Sequence, residues 1–233
     1  MISLSKDFEN FHHPDPAFMH ILCLKAAFSG SVLEEDSWVQ FEDGEISSVI
    51  ARHGGRLYLS CRNIATEEIK SFIGLIGYGE IFCRKSTAEA LGLSITDEFA
   101  VLSAKGLGKG FDASPEIGLK TLYDRLSLGK DGGISLPSFE DFAPDLSHRL
   151  RHGGAKVVLS ENGTALVFLC EKGCIINGVS VKKELRRRGE GSKILELIKD
   201  AADGEIFVCC DKKIKDFYIK NGFTERETAV IAR

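Results

Sequence analysis

In "LRRRGEGSKILELI", residues 185–198, three arginines run into a Gly-x-Gly step and then directly into an apolar-periodic helix. Positive charge, exposed backbone amides and a fresh helix start, all within eight residues, suit a multiply charged anion, above all a pyrophosphate. Gly189 and Gly191 are expected to free the backbone for positive φ and for close approach to a ligand. The amides from Arg187 to Ser192, Glu190 included, would then point into the loop, and the helix opening at Gly191 adds the positive end of its dipole. The side chains of Arg186, Arg187 and Arg188, with Lys182, Lys183 and Lys193 nearby, supply charge for phosphate oxygens. The plain alternative is a basic turn ahead of an ordinary surface helix. A dinucleotide-binding fingerprint is weak here, because Ile194 stands where a third glycine is needed and Cys209-Cys210 where an acidic residue is needed.

The elements that would hold this loop occur twice in the chain. "EDGEISSVI" (42–50) resembles "ENGTALVFL" (161–169), and "GEIFC" (79–83) resembles "GEIFV" (204–208), so the offset grows from 119 to 125 residues between the two anchors. Each copy reads strand, tight turn, strand, turn, strand, helix, strand, helix, strand. In the second copy, strands over 155–160 and 164–170 flank the hairpin signal Asn162-Gly163. A strand over 174–181 follows. The helix after the loop places Ile194, Leu195, Ile198 and Ala202 on one face, then comes the strand "EIFVCC" (205–210), a helix with Asp211 as N-cap, and a last strand over 227–232. The six extra residues fall between third strand and helix, where the first copy joins "RLYLSC" (56–61) to a helix over 66–76 by "RNIA". Only the second copy therefore carries the candidate anion loop.

Ahead of the second copy the pattern predicts helices over 114–128, with Ser114 as cap and Pro115 at the first position, and over 136–150, separated by the turn-rich "GKDGGIS". "AKGLGKGF" (104–111) lacks P-loop spacing and reads as a linker. The expected fold class is α/β (α+β): two tandem domains, 1–104 and 105–233, each a mixed, mainly antiparallel sheet flanked by helices.

Composition narrows the function classes. In 233 residues, 43% are hydrophobic and 27% charged, the balance of a globular protein, and the net charge of −4 offers no global field for nucleic acid. Any anion site must be local. No apolar run is long enough to cross a membrane, and the start lacks the layout of a signal peptide, so a cytoplasmic protein without a membrane partner is expected. The seven cysteines form no Cys-x-x-Cys pair and read as small hydrophobes, and the six histidines, with His12 and His13 near a mobile terminus, show no metal-ligand spacing. No metal is expected.

Two motifs together resemble the GNAT superfamily of acyl-CoA-dependent N-acyltransferases. Arg186-Arg187-Arg188-Gly189-Glu190-Gly191 is similar to its phosphate-binding signature, Gln/Arg-x-x-Gly-x-Gly/Ala between a strand and a helix. Phe217-Tyr218, followed by Gly222-Phe223, is similar to its aromatic-Tyr pair. The resemblance covers residues 155–233, and the helices from 114 complete such a domain; the first half is a degenerate copy by the internal repeat alone. It implies acetyl-CoA as cosubstrate, with pantetheine docked along Gly178–Val181 and pyrophosphate on the amides from Arg187 to Ser192. Val179 would supply an oxyanion-binding amide and Val181 a pantetheine contact, with Asp211 replacing the family's usual Asn near the cofactor. Tyr218 would protonate the leaving thiolate; its alternative role is packing of the helix against the sheet. Glu171, in the turn before the cofactor strand, and a water-mediated base are the alternatives for deprotonating the acceptor, an amine-bearing small molecule or peptide. A non-catalytic acyl-CoA sensor is the competing function. Neither the acceptor nor the oligomeric state is written in these motifs.

Overall fold

The structure, a computed structural model, describes residues 1–5, 7, 8, 10, 11, 13, 15–63, 67–129 and 136–233. The first half comprises strand β1 (Ile2–Leu4), helix α1 (Pro16–Phe28), strands β2 (Ser37–Glu42), β3 (Glu45–His53) and β4 (Arg56–Cys61), helix α2 (Glu67–Ile76), strand β5 (Glu80–Arg84), helix α3 (Lys85–Leu91) and strand β6 (Ile95–Lys105). Helices α4 (Leu119–Ser127) and α5 (Phe139–Arg151) precede the second copy: β7 (Ala155–Leu159), β8 (Gly163–Cys170), β9 (Gly173–Val181), helix α6 (Glu190–Ala201), β10 (Glu205–Cys210), helix α7 (Lys215–Lys220) and β11 (Thr224–Ala232). The repeated order of elements read from the sequence is the observed one, and the fold is α+β with one large, mainly antiparallel sheet flanked by helices.

The eleven strands form a single sheet in the order β1-β2-β3-β4-β5-β11-β6-β10-β9-β8-β7. Each half lends its last strand to the other: β11 lies against β5, and β6 lies against β10. The two exchanged strands also pair with each other, from Thr224 opposite Ser103 to Ala232 opposite Ile95. On one face α6 and α7 bury Ile194, Leu195, Ile198 and Phe223 against Leu102, Val167 and Ile206, and α2 and α3 pack beside them on Leu57, Ile81 and Val230. The other face carries α1, α4 and α5.

Helix α1 begins where Asp15 accepts a hydrogen bond from the Phe18 amide at 2.8 Å and Pro16 fixes the first turn. Nine of its thirteen residues are buried, so it lies as an all-round apolar rod across the middle of the sheet. Residue 13, placed by the sequence in a mobile terminus, is partly buried here; His12 lies outside the described residues. The two halves also meet through side chains: His53 Nε2 lies 3.0 Å from Asp145 Oδ1, and the His148 ring nitrogen 3.0 Å from the Ala27 carbonyl oxygen. Among the described residues no helix is long and apolar enough to cross a membrane.

Two expectations are corrected. The helix predicted from Ser114 starts at Leu119, because Gly118 holds an extended conformation at its N-cap (ψ 140°) and the Ser114 hydroxyl is turned to the strand side, accepting from the Val157 amide at 3.4 Å. The Gly-rich stretch 104–111 is no slack linker. Its amides at Leu107, Gly108, Lys109 and Gly110 donate to the carbonyls of Lys199, Ala202, Asp200 and Ala201, which strap the chain across the C-terminal end of α6. A Cβ at Gly106 would stand 2.1 Å from the Ala202 carbonyl oxygen, which explains a glycine there. The turn-rich 130–135 lies outside the described residues.

Leu102 on β6 is fully buried in the core of the second half, whereas Trp38, the sole tryptophan, reports from the core of the first. Leu102→Ala is expected to cost about 2–5 kcal/mol. Thermal unfolding followed by Trp38 fluorescence and by far-ultraviolet circular dichroism should shift together, because the exchanged strands make one cooperative unit.

Candidate active site

Strands β9 and β10 run parallel but pair only from Gly173–Ile176 with Glu205–Val208. Beyond that point they part, leaving 177–181 on one side and Cys209 and Cys210 on the other as the walls of a V-shaped opening. A register shift in β9, where Gly178 faces Leu166 and Ile176 faces Val167, leaves Asn177 as an extra, exposed residue at the mouth. The added residues fall in β9, which has nine residues against six in β4, in the loop that follows, and in α6, which has twelve against ten in α2. Strand 179–181, where the resemblance puts pantetheine, is thus part of the addition.

After β9 a single 3-10 turn, Lys183–Leu185, leads into the arginine loop. Arg187 and Gly189 take the left-handed conformation, at φ 64° and 85°, and α6 starts at Glu190 with Gly189 as its N-cap. No backbone hydrogen bond is made to the described residues by the amides of Arg187, Arg188, Gly189, Glu190, Gly191 or Ser192. They form a run of free donors at the N-terminus of a twelve-residue helix.

The side chains divide differently from the sequence reading. Arg186 turns inward, donating from Nε to the Val181 carbonyl at 3.2 Å and from Nη2 to the Leu128 carbonyl at 2.6 Å. With Ser180, whose hydroxyl donates to the Arg125 carbonyl at 2.8 Å, it fastens the end of α4 to β9. Arg187 and Arg188 are exposed and have no ion pair among the described residues. Lys193 is neutralised by Glu190 at 2.7 Å, a pairing that holds the Glu190 carboxyl below its ordinary range. Gly191 is helical rather than left-handed; its need is space, since a Cβ there would meet Phe217 Cζ at 2.9 Å. The ring of Phe217 on α7 therefore closes directly over the loop, and the two sequence motifs touch.

Tyr218 lies beside the opening, 4% exposed, in the same apolar cluster as Cys210 and Val179. Its ring packs edge-on to Phe217 and Phe223 at 5.1 and 5.6 Å. Burial, and secondarily Cys210, push its phenol up, so it keeps its proton at neutral pH. Its hydroxyl has no hydrogen bond to the described residues. Asp211 accepts from the Lys213 amide at 2.8 Å and caps the 3-10 turn ahead of α7. Val179 and Val181 lie on the stretch of β9 that still pairs with β8 but no longer with β10. Glu171 is not brought to this site: it occupies the exposed turn before Gly173, roughly 25 Å from Val181 at ordinary strand rise.

The first half has the same opening, closed. Pairing of β4 with β5 ends at Tyr58 and Phe82, and the next positions are filled. Arg84, standing where the second copy has Cys209, donates to the Cys61 carbonyl across the gap. The Ser60 hydroxyl donates to the Asp15 carboxylate, and Arg62 donates to the Asn10 carbonyl at 3.1 Å, which lays the N-terminal segment over the gap. Arg84 Nε also lies 3.9 Å from Asp15 Oδ2 and 3.8 Å from Glu227 Oε2. Burial pushes Asp15 up to about 6 and Glu227 up to about 7, against the pull of Arg84, while burial lowers His13 to about 4. No sequence motif connects Asp15, Ser60 and Arg84, which meet within the first half, with Glu227, which the strand exchange adds to them; comparing "GEIFCR" with "GEIFVC" could have singled out Arg84.

Two solved structures share this architecture. The chain is similar to a GCN5-related N-acetyltransferase of Sphaerobacter thermophilus, at 14% identity and a TM-score of 0.51 over 93% of this chain and 91% of that one. It is similar to the same degree, 13% identity and a TM-score of 0.51 over 94% and 98% of the two chains, to a protein of Novosphingobium aromaticivorans assigned to the GNAT acetyltransferases. No protein-family model and no curated protein sequence matches. At such identities the likeness is one of fold, and the fold is that of the GNAT acetyltransferases.

Gly189→Ala adds a Cβ in open space but at φ 85°, and is expected to cost about 1–2 kcal/mol in thermal unfolding. For Asp15, a folded-state value of about 6 above the ordinary carboxylate range means that its stabilising contribution is complete below about pH 4 and is lost as pH rises through 6. Asp15→Asn keeps an acceptor for the Phe18 amide without the charge. The stability of the variant relative to the parent should therefore improve between about pH 4 and 7, read from melting temperatures of both proteins across that range.

Proposed function

We propose that this chain transfers an acetyl group from acetyl-CoA to a primary amine carried by a small molecule or peptide. The observation that carries the reading is the row of free amides from Arg187 to Ser192 at the start of α6, set beside strands that part just where a thioester would enter. The donors fit a pyrophosphate: amides and a helix N-terminus bind it directly, with Arg187 and Arg188 exposed on the rim. Residues 105–233, completed by β6, carry the reaction, and residues 1–104 form a degenerate copy that contributes a strand and no ligand site. The cytoplasm is the compartment where the substrate would be met.

In this mechanism the unpaired edge of Gly178–Val181 holds the pantetheine arm by backbone hydrogen bonds, as a further strand would. The amide near Val179 meets the oxygen on which negative charge develops. Tyr218, protonated in its apolar pocket, gives its proton to the sulfur as the carbon–sulfur bond breaks. The buried, protonated phenol beside the opening supports a catalyst over a non-catalytic sensor.

Isothermal calorimetry should give one acetyl-CoA per chain, because Arg84 and the N-terminal segment fill the first opening; two equal sites, or none, would refute the assignment. Tyr218→Phe should lower kcat by roughly 10² or more while leaving acetyl-CoA affinity and melting temperature near those of the parent. An unchanged kcat in a stable variant would make Tyr218 a packing residue.

A further inference from the structure

The carboxylates nearest the parted strands are almost all committed elsewhere. Glu98 is clamped between Lys212 at 2.5 Å and Lys85 at 2.6 Å, which hold it near 2. Glu190 is paired with Lys193, Glu225 with Lys215 at 3.0 Å, and Asp211 caps a turn. Asp15 is 1% exposed, and both its oxygens are held, by the Phe18 amide and the Ser60 hydroxyl. Glu227 differs: it is half-buried, makes no hydrogen bond to the described residues, and has one ion contact, Arg84 Nε at 3.8 Å.

Its position follows from the register. Cys209 faces Val101 across the β10–β6 ladder, and Val101 faces Glu227 across the β6–β11 ladder. Residues directly opposite in adjacent strands point to the same side of a sheet, so Cys209 and Glu227 share the face opposite Tyr218, about 10 Å apart at the backbone. Phe99, Cys209 and Glu227 each keep part of their surface open on this face, although Val101, between the last two, is fully buried. Tyr218 thus lies on one face of the sheet beside the opening, and Glu227 on the other.

We propose that Glu227 is the group that takes up the proton of the acceptor amine, through water on this face of the sheet, and that the acceptor is consequently cationic before it reacts. The inference rests on the acetyltransferase reading. The ammonium first gives one proton through water to the Glu227 carboxylate, which passes it to solvent; as the free amine then attacks, the carbon–nitrogen bond forms, the carbon–sulfur bond breaks, the thiolate takes the proton of Tyr218, and the proton left over on the nitrogen returns through water to the Tyr218 phenolate. The charged and titratable groups around Glu227 are Asp15 and His13 from the segment ahead of α1, Arg84 from the end of β5 and Cys209 from β10. Burial and Asp15 raise Glu227 to about 7 and Arg84 opposes them, so it accepts a proton near neutral pH and releases it readily.

The test compares the parent, Glu227→Gln and Glu227→Asp, using the best acceptor from a panel of polyamines, amino acids and lysine peptides. In the parent, kcat/KM should rise with pH through about 7. Glu227→Gln should bind acetyl-CoA and melt as the parent does, yet lose roughly 100-fold in kcat at pH 7.5 and lose that rising limb; Glu227→Asp should restore part of both. A Gln variant with the parent's rate and pH profile overturns the proposal and leaves the acetyltransferase reading standing. A parent that neither binds acetyl-CoA nor acetylates any amine overturns that reading, and this proposal with it.

Discussion

The placement of β6 between β10 and β11 is the constraint on which the molecule depends. Neither half closes its own sheet, since the fourth strand of each repeat needs the last strand of the other. The exchange fixes how far β10 runs before it loses its β9 partner, and so where the opening lies. It also carries Glu227, a residue of the second half, into the pocket formed by Asp15, Ser60 and Arg84 of the first. The first half, whatever else it does, supplies a strand that the second half's sheet cannot do without.

At the loop, backbone and side chains have separate tasks. The donors for a ligand are amides, whereas Arg186 and Glu190 are spent on holding the loop's shape and Phe217 roofs it. Such a division makes the site rigid before anything binds, because a helix start cannot move without moving the helix. It also couples the two motifs physically: the ring ahead of Tyr218 rests against the glycine of the loop, so a displacement of α7 displaces the anion site.

Much of this was readable from periodicity. Asn162-Gly163, the apolar face of α6 and the strand "EIFVCC" are local signals, and each element appears within a residue or two of its expected place. What stayed hidden is set by partners distant in sequence. Strand β11 is equally apolar whether its neighbour is β5 or β10, so the exchange leaves no trace in its composition. Helix α1 escaped because it is apolar on all sides and shows no periodic face. The site followed the same division: the Gly-x-Gly step announced free amides, but not that Arg186 would face inward, that Gly191 would serve Phe217, or that Glu171 would sit at the far end of β9. The Gly-rich stretch misled because capping a helix end and crossing a gap call for the same residue type.

The exchange bears on how the chain is made. When residues 95–105 have been synthesised, both strands that will flank them, 205–210 and 224–232, are still untranslated. For more than half of translation β5 ends the nascent sheet as an open edge, and the segment that becomes β6 has nothing to pair with. Bare edges of this kind recruit other chains. The packing of α3 on one face of β5, and of α1 on the other face over β4 and β5, then shelters the apolar surface beside that edge during biogenesis as much as it builds the finished core.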